Sequence, residues 1–314
     1  MISAILLGVA PSLALAPDAQ WKAPALFVDG QPYKVHVVVK SAEPVPAWMF
    51  DASAFTIDGQ PLQERKKTDP VTLDKGMREF DYDLGGLVSA HKAAKNATFE
   101  LGYGEGGKPV TVHVGMLVEK ATAFMDDKKV PAGDLVNYHV VLQTTMGPLE
   151  VEFWPDVAPN HVRNFLDLSA TGFYDGIGFH RVMPGFMAQC GDPNTKTNDR
   201  NSWGTGSGPR RLKAEFNAKK HVRGVLSAAR SQDPNSASSQ FFLMDGANPG
   251  LDGQYSGFGR LVDGYETLDK IVHAPGTAGP DGTIKPTELP RIQHALVVKL
   301  VQPKPEKSDK PETK

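Results

Sequence analysis

The residues best suited to chemistry lie between Tyr174 and Asp192, in the stretch YDGIGFHRVMPGFMAQCGD. Asp175-Gly176 and Pro184-Gly185 set turns between short apolar runs, so the intervening residues read as strands. Arg181 is the permanent positive charge of this stretch, close in sequence to Phe179, Phe186, Met187 and Gln189. A guanidinium stays charged in a protein and carries five donors in a fixed fork, so an arginine among aromatic and thioether side chains points to aimed donation to a ligand. Taken alone, the same residue also reads as a strand-end arginine with its head in water. His180 adjoins it, but neighbours on a strand point to opposite faces, which leaves His180 at the groove edge or in a structural role. By the same alternation Cys190 faces away from Gln189 and is expected to be an inert core thiol.

These side chains need strands to position them, and the flanking sequence supplies alternation. Tyr138, Val140 and Leu142 alternate with His139, Val141 and Gln143, and the pattern resumes at Leu149, Val151 and Phe153, which predicts a hairpin around Met146-Gly147-Pro148. Pro159 suits the first turn of a helix that carries Val162, Phe165, Leu166 and Ser169 on one face and ends before Gly172. Pro193 to Pro209 reads as a long surface loop that offers no catalytic group. Gly224 to Arg230 and Ser239 to Leu243 follow as strands, and Leu251-Asp252-Gly253-Gln254-Tyr255 leads through a turn into a strand over Gly257 to Val262. Leu268, Ile271 and Val272 mark a short second helix, and Ala295 to Val301 a closing strand. Gln302 to Lys314 is a Pro, Lys and Glu tail that cannot build a core.

The chain of 314 residues is long enough for about two domains. Between Trp21 and Met125 the period is two almost throughout: Val35, Val37 and Val39; Phe80, Tyr82 and Leu84; Phe99, Leu101 and Tyr103; Val110, Val112 and Val114. That predicts an antiparallel all-β accessory domain over 20–126, a sandwich of immunoglobulin-like shape, with hairpin turns at Asp29-Gly30, Asp58-Gly59 and Gly106-Gly107. A charged, breaker-rich linker is expected at 127–134, then a second domain over 135–302 and a disordered tail over 303–314. Ile2 to Ala16, apolar and ending Ala-Leu-Ala, fits a secretory signal within residues 1–19 although no basic residue precedes it; a buried strand or helix of the first domain is the alternative. It is too short to span a membrane, which needs about 20 residues. Export to the periplasm or cell envelope follows if it is a signal, and a cytoplasmic place if it is not. A net charge of -2 argues against nucleic acid, and one cysteine excludes an intramolecular disulfide and a Cys-rich zinc site. The scattered histidines of the first half have no metal-like spacing, so no metal is expected.

Five pieces in register carry a family resemblance: Phe179-His180-Arg181-Val182, Phe186-Met187-x-Gln189 with Gly191-Asp192, Leu226-Ser227-x-Ala229, Ser239-Gln240-Phe241-Phe242, and Leu251-Asp252-Gly253. Over about half the chain this resembles a cyclophilin, closer to bacterial members at Arg230 and the turn after it. The resemblance implies a closed eight-stranded antiparallel barrel with two capping helices, and peptidyl-prolyl cis-trans isomerase activity without a cofactor. It implies Arg181 as the catalytic residue and Phe186, Met187, Phe242 and Leu251 as a proline pocket. Gln189 and Gln240 would line the groove, Ala229 and Arg230 would hold the peptide backbone, and Tyr255 would stand as an aromatic wall where many members have histidine. Gly250 replaces a tryptophan of many members, which puts cyclosporin affinity in doubt more than turnover. The partners implied are proline-containing peptides and unfolded or partly folded proteins. A non-catalytic module that binds proline peptides, or a chaperone acting through the first domain, stands as the alternative.

Overall fold

The computed structural model describes residues 18–302 apart from 42, 67–68, 74–76, 92–95, 105–106, 119–121 and 280–283. The apolar segment Ile2 to Ala16, the tail from Pro303 and one glycine of the expected turn at Gly106-Gly107 lie outside the described residues. The chain divides into two compact units, 1–114 and 115–314.

In the first unit the β-branched, period-two runs form strands as their pattern dictates. They are β1 (Asp18–Lys22), β2 (Leu26–Val28), β3 (Lys34–Lys40), β4 (Phe55–Ile57), β5 (Gln60–Pro61), β6 (Met77–Asp83), β7 (Thr98–Tyr103) and β8 (Val110–Leu117), whose last residues enter the second unit. One sheet runs β1-β3-β6, and a second joins β5, β4, β7, β8 and β2. Val35, Val37 and Val39 are fully buried, and rings from the two sheets meet at Trp21–Tyr103 and Phe55–Tyr82, with centroids 6.3 and 6.1 Å apart. Asp58 and Gly59, both at positive φ, make the two-residue turn between β4 and β5. An all-β reading of this unit needs one correction: Gly85–Ala90 forms a helix, α1. Its two glycines hide it from propensity. Asp83, one residue before the N-cap Leu84, accepts from the N–H of Gly85 (3.0 Å) and of Tyr33 (2.9 Å) and so satisfies one donor of the first turn.

The second unit is built from β9 (Tyr138–Thr144), β10 (Gly147–Phe153), α2 (Pro159–Ala170), β11 (Arg181–Met183), β12 (Met187–Cys190), β13 (Val225–Ala228), β14 (Phe241–Met244), β15 (Gly257–Asp263), α3 (Tyr265–Val272), β16 (Gly276–Ala278), β17 (Ile284–Pro286) and β18 (Ile292–Leu300). The strands pair antiparallel in the order β16-β17-β11-β12-β14-β13-β15-β10-β9-β18. No strand ladder joins β18 to β11. Backbone hydrogen bonds nonetheless link the segment before β11 to the start of β18: Gly176 N–H to Ile292 O (2.7 Å), Ile292 N–H to Ile177 O (2.9 Å) and Phe179 N–H to Pro290 O (2.8 Å). Phe165 of α2 centres the core, its ring 5.0 to 5.7 Å from those of Tyr174, Phe241, Phe258 and Phe153. Leu268, Ile271 and Val272 of α3 are fully buried in the same core.

The division between units falls earlier than the linker expected at 127–134. Phe124, Val130 and Leu135 within and around that charged run are buried in the second core, and Arg163 of α2 donates to the carbonyl of Phe124 (2.6 Å). Breaker residues there make turns on the surface of the second unit rather than a boundary. The hairpin β16-β17 was also not foreseen, since three-residue strands carry no readable period. Among the described residues no helix is long and apolar enough to cross a membrane.

Candidate functional site

Directly opposed residues of an antiparallel pair share a face. Arg181 opposes Gln189, Gln189 opposes Phe242, and Phe242 opposes Ser227, so a single row crosses β11, β12, β14 and β13. Met183, Met187 and Met244 form the next row on that face. The alternate residues Val182, Ala188, Cys190, Phe241, Leu243 and Leu226 belong to the core. The Arg181 row therefore lies on the outer face of the sheet. Cys190 is fully buried and its thiol is pushed far up by burial.

The Arg181 guanidinium is half-buried, with Nη1 3.5 Å from Gln189 Oε1 and Nη2 3.3 Å from Met183 Sδ. Beside it, Met187, Val225, Phe242 and Met244 form an apolar cluster separate from the core, against which Trp154, Met183, Phe186, Ala229, Leu251 and Tyr255 pack. The expected pocket residues thus come together. Val225, Met244, Met183 and Trp154 join them, and only Met183, two residues from Arg181 on one strand, carried a sequence signal.

A chain of amides fixes the polar side. Gln189 Nε2 donates to Gln240 Oε1 (2.9 Å), and Gln240 Nε2 donates to the carbonyls of Gly204 (3.0 Å) and Gly206 (2.7 Å). The long loop is therefore stitched to the site. Its anchor is Asp192, fully buried, which accepts from the N–H of Asn194 (2.8 Å) and of Gly204. Beyond Gln189 and Gln240 opens a polar cavity of about 340 Å³ bordered by Arg211, Ala229 and Arg230.

Arg230 borders that cavity beside Ala229. Its guanidinium donates to the carbonyls of Gln254 (3.1 Å) and Ser231 (2.9 Å) and lies over the Tyr255 ring, 4.5 Å from the centroid. It buttresses Tyr255, whose ring meets Phe242 edge-on at 5.9 Å. The Ala229 N–H is engaged by Gln240 O (3.0 Å). His180 is buried on the opposite side of its strand from Arg181, beside Gly204, and burial lowers its pKa. Among the described residues no cluster of His, Cys, Asp or Glu is placed to hold a metal.

Residues 139–297 match the family model for "Cyclophilin type peptidyl-prolyl cis-trans isomerase/CLD", about half the chain. The chain belongs to this family. A Brucella abortus (strain 2308) protein named "Probable peptidyl-prolyl cis-trans isomerase" is 43% identical over 151 residues, covering 46% of this chain and 76% of that protein. The human "Peptidyl-prolyl cis-trans isomerase-like 3" is 40% identical over 139 residues, 43% of this chain and 83% of that protein. A cyclophilin-type isomerase structure from Cryptosporidium parvum aligns with 32% identity and TM-score 0.45 over 51% of this chain and 96% of that one. The protein is thus a peptidyl-prolyl isomerase, an enzyme that binds proline peptides. The matched segment holds the whole Arg181 row and lies within the second unit.

Proposed function

We propose that Arg181 catalyses X-Pro rotation by donating to the prolyl nitrogen, while the cluster of Phe186, Met187, Phe242 and Leu251 holds the proline ring. An amide resists twisting by about 20 kcal/mol because its nitrogen shares a lone pair with the carbonyl. As the bond twists, the nitrogen pyramidalises and becomes an acceptor. A guanidinium aimed at that atom binds the twisted state and neither planar isomer, which is differential binding of the kind that accelerates a reaction. One pre-aimed donor in a partly desolvated site is worth about 3 kcal/mol, a rate factor of 10² or more. The step transfers no proton, forms no covalent bond and needs no cofactor.

The observation that carries this reading is the shared face of Arg181, Gln189 and Phe242, which sets a charged donor, an amide and an aromatic floor side by side. Gln189 and Gln240 would hold the segment that swings, and Ala229 and Tyr255 would bound the groove. We further propose that the eight strands from β9 to β15 and β18 close into a barrel through the 176–179 and 290–292 contacts, giving the outer face a rigid base. The substrates proposed are unfolded or partly folded proteins with accessible prolines. Replacing Arg181 by Lys tests the assignment on the full chain. A point charge without the planar fork should keep peptide affinity and lose most of the acceleration; an unimpaired rate in Arg181→Lys overturns the donor geometry.

A further inference from the structure

His221 was not among the expected site residues, yet three parts of the pocket are tied to it. It is 2% exposed, and its ring lies under Phe242 at 6.4 Å between centroids and 27° between planes. Nε2 is 3.0 Å from the hydroxyl of Ser227, the residue opposed to Phe242 and two before Ala229. Nδ1 is 3.3 Å from Asp252 Oδ1, which also accepts from the His221 N–H (2.8 Å), and Asp252 directly follows Leu251. The His221 carbonyl accepts from Asn248, at the head of the same loop (2.9 Å).

We propose that His221 is a positioning residue of the proline pocket, setting the spacing between the Phe242 floor and the Leu251 wall through its two ring nitrogens. The inference rests on the reading that those side chains hold the proline ring. The partners dictate the tautomer. A carboxylate only accepts, so Nδ1–H donates to Asp252; Nε2 of the neutral ring then accepts from the Ser227 hydroxyl, which donates to it. Protonating Nε2 turns an acceptor into a donor, so the Ser227 hydroxyl must rotate to accept from it and a charge is placed in a buried site. The charged group facing the ring is Asp252, whose Oδ2 is 3.1 Å from the exposed Lys220. Burial outweighs Asp252 and holds the ring below the ordinary histidine range.

The test uses the full chain, a proline peptide and exchange NMR, which separates affinity from the interconversion rate on the enzyme. His221→Phe keeps a ring under Phe242 and the backbone bond to Asp252, but removes the ring bond to Asp252 and leaves the buried Ser227 hydroxyl without its partner. It should bind the peptide about tenfold more weakly, the cost of an unpaired buried hydroxyl beneath the pocket. The on-enzyme rate should change little, because a pocket that grips the ring acts equally on cis, trans and twisted states. Ser227→Ala, a smaller change that preserves the fold, should weaken binding in the same sense. Wild-type affinity should also fall in acid, as pH drops through the lowered pKa of the ring, and this fall should vanish in His221→Gln. Unchanged affinity in His221→Phe and Ser227→Ala, or an identical pH profile in His221→Gln, overturns the inference. Arg181→Ala measured alongside separates the two readings: if its rate equals wild type, the reading of the site itself fails.

Discussion

Substituting Gln189 by Glu changes one atom type and places a carboxylate where an amide oxygen stands 3.5 Å from Arg181 Nη1. Size and strand propensity are preserved, so the fold should be too, although the Nε2 donor to Gln240 Oε1 is lost. At that separation and an effective dielectric constant near 20, the gross attraction is about 5 kcal/mol. Arg181 and Gln189 are both half-buried, so solvent and ions screen the pair, and the net gain falls to about 1 kcal/mol. Every part of it stabilises a guanidinium turned toward residue 189 and competes with donation to the twisted amide. The catalysed rate should therefore drop about fivefold, since about 1.4 kcal/mol corresponds to a factor of ten. Peptide affinity should move less, because the apolar cluster that grips the ring is untouched. Exchange NMR on a proline peptide gives both quantities, and repeating it at rising salt adds a second check: screening should restore part of the rate. A Gln189→Glu enzyme with the wild-type rate, or a loss that salt leaves unaltered, refutes competition for the guanidinium.

Further outcomes concern the scaffold. Glu215 accepts from the N–H of Asn160 (3.1 Å) and His161 (3.0 Å) at the start of α2, and from the buried His161 ring at 2.6 Å. Glu215→Ala should cost about 3 kcal/mol, a lost helix cap plus a buried donor left unpaired, seen as a lower urea midpoint for the second unit; a loss under 1 kcal/mol contradicts this. Burial would raise the Glu215 pKa, but the bonds from His161 and Asn160 outweigh it and leave it lowered. That contribution is present above the ordinary value of 4.5 and is lost as pH falls through the lower folded value, so the difference between wild type and Glu215→Ala should shrink in acid. Gly191 sits at φ +93°, and a Cβ there would lie 2.2 Å from the Ser239 carbonyl oxygen. Gly191→Ala should destabilise the second unit by about 3 kcal/mol or abolish its folding; a wild-type melt contradicts the close approach.

What was legible in the sequence follows from how far apart the interacting residues lie. Arg181, Met187 and Gln189 fall within one hairpin, where alternation places them on a common face, with Phe186 in its turn. Phe242 and Leu251 entered through family spacing, since nothing local to Ser239–Phe242 says that it pairs with β12. Met244, Val225 and His221 were invisible for the same reason: their place depends on the register of β12, β14 and β13, set by contacts distant in sequence. For Arg230, residue type records the charge but not the carbonyls of Gln254 and Ser231 to which it donates. In the first unit, alternation revealed the strands, while the Gly85-Gly86 start of α1 has low helix propensity and gives no local sign of a helix. The charged run at 127–134 resembled a linker because the apolar residues before and within it, Phe124 and Val130, show no period by which their burial could be read.

The most direct test of the central claim is the cis-trans interconversion rate of a bound proline peptide, measured by exchange NMR with the full chain and with Arg181→Ala. Donation from Arg181 to the prolyl nitrogen predicts a rate lower by a factor of about 10² or more in the variant with peptide affinity changed only a few-fold. Equal rates at saturation, or a loss confined to affinity, would contradict it and leave Arg181 as a binding residue only.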